Sequence, residues 1–294
     1  MLGSIGLYEL LTPPDTRDSG SARWCVAQRD GRRYVLKEFL SPIYPTDASP
    51  LTGTLRTARA LQCHAFEERK KALYQELLRV NTPTVVPVMD FFRAGPHYYA
   101  VTEYIEGEPL ELALMSQLPA EEGLLLLMEL CDALALLGER QIVHGDLKPQ
   151  HLLLRHQPTR RTRLALIDFD GGYFATQPPQ GARALGGDPW MLAPESLRFL
   201  MGEPVTLSAA SDGFALGLLL HLYLAGEWPG FDRARFHYPC EAALDEGALT
   251  ISSRLPISLR LTVRSLLSPN AAERPTPTAV RDALDGLRRT VSLS

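Results

Sequence analysis

The sequence predicts an α+β chain, with short strands through roughly the first hundred residues and a larger, mainly helical remainder. Three observations carry this. Alternating apolar runs broken by turn residues fill 7–40 and return over 85–102; a Leu-rich helical pattern covers 120–140; and 214–225 is almost wholly apolar. With 45% hydrophobic and 22% charged residues, the chain can bury one large or two small domains. Its net charge of -4 gives no nucleic-acid footprint. Cys25, Cys63, Cys131 and Cys240 lack metal-ligand spacing and read as reduced thiols. The N-terminus has neither a basic leader nor a clear cleavage site, and no apolar run reaches a membrane-spanning length. The expectation is a cytoplasmic protein without a membrane segment.

The first elements follow from local pattern. Trp24-Cys25-Val26-Ala27, the turn pair Asp30-Gly31, and Tyr34-Val35-Leu36-Lys37 read as a hairpin. Lys37 interrupts its apolar strand, either as an edge lysine in water or as an inward cation. The Pro-rich stretch 41–54 reads as an inserted loop. A helix is expected from about 55 to 80, with Cys63, Phe66, Leu73, Leu77 and Val80 near one face. Glu67 borders that stripe, with Glu68 and Glu76 as rivals or as solvated charges. Two strands, 85–92 and 98–102, meet at Gly95-Pro96. The Leu-rich helix over 120–140 then buries Leu126, Leu130, Leu134 and Leu137.

The chemistry concentrates in Val143-His144-Gly145-Asp146-Leu147-Lys148-Pro149-Gln150-His151. A carboxylate in a tight loop can orient or deprotonate a hydroxyl, and a lysine two residues on can neutralise phosphate charge. A surface turn with a charge pair is the plain alternative. Leu152-Leu153-Leu154 and Leu164-Ala165-Leu166-Ile167 predict a second hairpin, leading to Asp168-Phe169-Asp170 and bringing Asp168 toward Asp146.

Together with Lys37, these motifs resemble the eukaryotic-type (Hanks-type) Ser/Thr protein kinase family over about residues 7–287. The resemblance implies a bilobal fold, a β-rich lobe with one long helix over 1–106 and a mainly helical lobe over 107–294. It implies ATP as phosphoryl donor, Mg2+ (or Mn2+) as metal, and a Ser or Thr of a protein as acceptor. Lys37 would hold the α/β-phosphates, oriented by Glu67, and Gly20 is the one glycine left where the family has a glycine-rich loop. Thr102 would guard the pocket, with Glu103 and Ile105 bonding adenine through their backbone. Asp146 would position the hydroxyl, Lys148 would steady the γ-phosphate, and Asp168 would hold metal. Gly187-Asp188-Pro189 to Ala193-Pro194-Glu195 resembles the family's closing anchor. Glu195 would pair with Arg274. Asp212 opens the apolar helix and is expected to cap its amides. The tail after Leu287 is expected to fray.

Several positions depart from the family. Its catalytic-loop asparagine is His151, and its Asp-Phe-Gly is Asp168-Phe169-Asp170. The two changes read as compensatory, both supplying metal ligands. The plain alternative keeps His151 inside the loop and Asp170 in water. Gly145 stands where an arginine usually meets an activation-segment phosphate, so phosphorylation there is not the expected switch. A nucleotide-binding pseudokinase and a small-molecule phosphotransferase remain as alternative functions.

Overall fold

The structure, a computed structural model, describes residues 2–16, 22–47, 49–155, 162–181 and 184–291. The chain divides into two compact units. One comprises the chain up to Asn81 with Val86–Ile105, and the other Thr82–Val85 with Glu106 onward.

The first unit holds a six-stranded sheet and one long helix. Strands β1 (Ser4–Ile5), β2 (Tyr8–Leu10), β3 (Ala22–Arg29), β4 (Arg32–Phe39), β5 (Val88–Ala94) and β6 (His97–Glu103) lie in the order β1-β2-β3-β4-β6-β5. Asp30 and Gly31 join β3 to β4 with φ of 51° and 72°. Two successive positive φ values match the right-handed twist of the strands they connect. Period-two alternation sends Cys25, Ala27 and Leu36 into a core with Tyr8 and Val101. Helix α1 (Gly53–Leu77) buries Cys63, Leu73, Tyr74 and Leu77. Aromatic contacts hold it to the sheet, with Phe66 5.3 Å from both Phe39 and Tyr98, and Tyr74 5.4 Å from Phe91.

The second unit is mainly helical, with short strands around its functional loop. Its elements are β7 (Gly107–Pro109), α2 (Leu112–Met115), α3 (Ala120–Glu139), β8 (Ile142–Val143), β9 (Leu152–Arg155), β10 (Arg163–Leu166), β11 (Tyr173–Phe174), α4 (Pro194–Leu200), α5 (Ala210–Ala225), α6 (Pro239–Leu244), α7 (Ile257–Leu266) and α8 (Pro277–Val291). β9 and β10 form the expected antiparallel hairpin, and β8 pairs with β11. Helix α5 is apolar on nearly every side because it is buried on nearly every side, from Ser211 through Tyr223. It ends at Gly226, whose φ of 76° suits the left-handed turn after a helix. Gly217 lets α7 come close, since a Cβ there would stand 2.8 Å from Cβ of Leu266.

The last described residues depart from expectation, while 292–294 lie outside the described residues. Helix α8 continues past Leu287 to Val291. Arg288 and Arg289 both pair with Asp285, at 2.9 and 2.6 Å, and Arg288 reaches Glu121 of α3 at 3.0 Å. These ties supply local contacts that an unanchored tail would lack.

Candidate active site

In the first unit, Lys37 lies on β4 between Trp24 of β3 and Ala100 of β6. It is therefore on an interior strand, not on an edge. Leu36 points into the core, so Lys37 shares the opposite face with Phe39, which packs on Phe66 of α1. The half-buried lysine thus lies on the helix-facing side of the sheet. Of the three candidate glutamates, Glu68 is exposed, and Glu76 is half-buried and pairs with Arg79. Half-buried Glu67 meets Lys71 at 2.6 Å and accepts a hydrogen bond from the Tyr98 hydroxyl at 3.4 Å. The Lys71 bond holds its carboxyl below the usual glutamate range. Thr102 sits on β6 opposite Val35 and Val88, and Glu103 ends that strand opposite Tyr34. Tyr104 N–H donates to Arg33 O at 3.2 Å, fixing the exit that leads to Ile105. Gly20 lies outside the described residues.

In the second unit, the 143–151 loop is held from below. Asp212 of α5 accepts N–H bonds from His144 at 2.7 Å and Gly145 at 3.0 Å. This corrects the capping role expected for Asp212, because α5 has no side-chain cap. Both carboxylate oxygens are already committed to amides of another segment. Burial pushes the Asp212 carboxyl up, while His144 and the two N–H bonds pull it down. His144 is fully buried, with Nε2 3.0 Å from Ile167 O and Nδ1 accepting the Asp146 N–H at 3.2 Å. Since the carbonyl only accepts, the proton sits on Nε2. Burial lowers the pKa of this ring and keeps it neutral.

Above that support, Asp146 extends its carboxylate. One oxygen lies 2.9 Å from Lys148 Nζ, and the other accepts the Asp188 N–H at 2.8 Å. Asp188 in turn accepts the Trp190 N–H at 2.9 Å. Two glycines let these segments meet. Gly145 has φ of 76°, and a Cβ there would stand 2.7 Å from Gly171 O. Gly187 has φ of 118°, and its Cβ would stand 2.7 Å from Gly145 O. The arginine that the family has at this place would not fit.

His151 and Asp168 form the remaining part. His151 Nδ1 is 2.7 Å from Asp146 O, so this nitrogen carries the proton. Burial pulls the ring's pKa down, against the opposing pull of Asp168 and Asp146. The neutral ring then turns the lone pair of Nε2 toward Asp168 Oδ2, 3.3 Å away. Two electron-rich atoms facing one another with no proton between them suit a shared cation. Ligands side by side on an octahedral magnesium are about 3 Å apart, close to this separation. A histidine whose other N–H is fixed by a carbonyl is the usual state of a metal ligand. Asp168 has φ of 67°, an uncommon left-handed conformation that carries strain. Its Oδ1 accepts the Asp170 N–H at 3.2 Å, which places Asp170 one turn away. Phe169 is buried, with its ring 4.7 Å from that of His144. Among the described residues no three His, Cys, Asp or Glu side chains gather as a complete metal cage. An open pair that leaves positions for phosphate oxygens is how magnesium is commonly held.

The expected Glu195–Arg274 pair is present, bidentate at 2.7 Å for both bonds, and buried on both sides. The anchoring role of Asp212, the support from His144, and the Asp188 amide bond to Asp146 were not anticipated. The signal available for Asp212 was a lone carboxylate opening an otherwise apolar helix.

A loop carrying a carboxylate and an ammonium, beside a His–Asp pair suited to a cation, is the equipment of a phosphotransferase. The protein kinase domain family model matches residues 60–283, and the chain belongs to that family. Serine/threonine-protein kinase pkn2 of Myxococcus xanthus is 31% identical over 222 residues, covering 71% of this chain and 25% of that protein. Serine/threonine-protein kinase PksC of Streptomyces coelicolor is 26% identical over 294 residues, covering 91% and 51%. Serine/threonine-protein kinase DCLK3 of Homo sapiens is 29% identical over 149 residues, covering 50% and 22%. The chain thus spans between about a fifth and a half of the length of these three relatives.

Proposed function

We propose that this chain is a serine/threonine protein kinase that transfers the γ-phosphoryl group of ATP to a hydroxyl of a protein substrate. The observation that carries this is the Asp146 carboxylate, held between Lys148 Nζ and the Asp188 amide, beside the His151–Asp168 pair. Asp146 orients the acceptor hydroxyl and takes its proton. Lys148 balances charge on the phosphoryl group in transit. Asp168 and His151 hold the divalent metal, and Asp170 assists. When bound, the metal neutralises phosphate charge. Lys37, oriented by Glu67, holds the α/β-phosphates. Glu103 and Ile105 bond the adenine edge through their backbone, Thr102 guards the back of the pocket, and Gly20, outside the described residues, is the glycine offered to the phosphates. The four buried free thiols favour a reducing compartment, the cytoplasm.

Transfer from labelled ATP to a generic protein tests the reading. Wild type is expected to incorporate label, and Asp146→Asn to lose at least about a hundredfold in rate while still binding nucleotide. Nucleotide binding with no transfer in wild type would favour the pseudokinase alternative, for which the missing family glycines speak. Transfer only to amino alcohols would indicate a small-molecule kinase.

A further inference from the structure

The loop that ends at Trp190 carries a feature that phosphoryl transfer does not use. Trp190 stands one residue beyond Pro189, and its own N–H bonds Asp188, whose N–H bonds Asp146. The indole packs against Trp228 at 6.0 Å and Phe231 at 5.9 Å. The exposed Arg233 lies over this group, with its guanidinium 4.4 Å from the centres of both Trp190 and Phe231. Stacking fixes the plane of the guanidinium and leaves its N–H edge for another partner.

Among the described residues Arg233 has no carboxylate partner, although Arg235 beside it is paired with Asp245. Asp232, next to Arg233 in sequence, already uses one oxygen on Ala234 N–H at 2.9 Å, and Asp188, next but one to Trp190, uses one on Trp190 N–H. Trp190 Nε1–H is also buried without an acceptor among the described residues. An aromatic shelf two hydrogen bonds from the catalytic carboxylate therefore presents a prepositioned, unneutralised cation. We propose that Arg233 is a specificity residue, selecting protein substrates with an Asp or Glu a few residues from the phosphorylated Ser or Thr. The inference rests on the kinase reading and names its substrate class.

The test uses the full chain with Ser/Thr peptides in which each flanking position carries Glu, Ala or Lys in turn. Wild type is expected to favour Glu at one position by about two- to fivefold in kcat/KM, through KM, with the preference shrinking at high salt. Arg233→Ala should erase the preference while phosphorylating the all-Ala-flanked peptide as wild type does. Arg233→Glu should favour Lys at that same position. A preference that survives Arg233→Ala, or wild-type transfer with no acidic preference anywhere, would overturn the inference and leave the kinase reading intact. Absence of transfer to every peptide and protein would sink the kinase reading, and this inference with it.

Discussion

His151 shows how one atom decides a metal site. Its Nδ1 proton is taken by Asp146 O, so only Nε2 can face Asp168. The sequence marks His151 and Asp170 as replacements but says nothing of the tautomer, which is set by a carbonyl five residues earlier. Imidazole suits manganese better than magnesium. Pulsed EPR of the protein with Mn2+ and ATP should show nitrogen coupling to the metal. That coupling should vanish in His151→Asn, which returns an oxygen ligand. An unchanged spectrum would remove the histidine from the metal and leave it as a strut within the loop. The neighbouring Asp146 and Lys148 were legible as a pair, because two residues of spacing in a tight loop bring their side chains together. The second partner of Asp146 was not legible, since it is a backbone amide from 42 residues away.

At the level of elements, hairpins and helices followed from turn chemistry and periodicity. Asp30-Gly31 located the β3–β4 turn, and the apolar stretch located α5 as a buried helix. What α5 does for the site was hidden, because Asp212 looks like a cap in sequence and acts as a clamp in space. The tie between α4 and the loop before α8 was legible only through family resemblance. Arg274 also donates to Ala210 O at 2.7 Å, at the first residue of α5, so one guanidinium joins three segments. Removing one partner leaves a buried carboxylate uncompensated. Arg274→Ala should therefore cost about 3–5 kcal/mol, read from chemical denaturation. A loss below about 1 kcal/mol would show that water enters and replaces the pair.

Over the whole molecule, buried histidines link stability to pH. His221 of α5 donates from Nδ1 to Glu227 O at 2.7 Å and accepts at Nε2 from Ser252 N–H at 2.9 Å. Both nitrogens are satisfied only in the neutral ring, and burial lowers its pKa. His144 shifts in the same direction for the same first cause. The unfolded chain, with histidine near pH 6.5, then takes up protons before the folded chain does. Stability from these rings is complete above about pH 6.5 and is lost as pH falls toward the folded values, by at most about 1.4 kcal/mol per pH unit for each ring. Denaturation at pH 7.5 and 5.5 should show this loss. His221→Gln, which keeps a donor and an acceptor without titrating, should flatten part of it. Equal slopes in wild type and variant would place the pH sensitivity elsewhere.

The glycine at 145 limits what this position can ever hold. The main-chain oxygen of Gly171 occupies the room a side chain would take, 2.7 Å from where its Cβ would stand. Placing an arginine at this position alone would force apart the 145 and 171 backbones, which it currently lets touch. Any larger residue here is admitted only after the 171 segment moves away, so the position is locked by its neighbour's backbone.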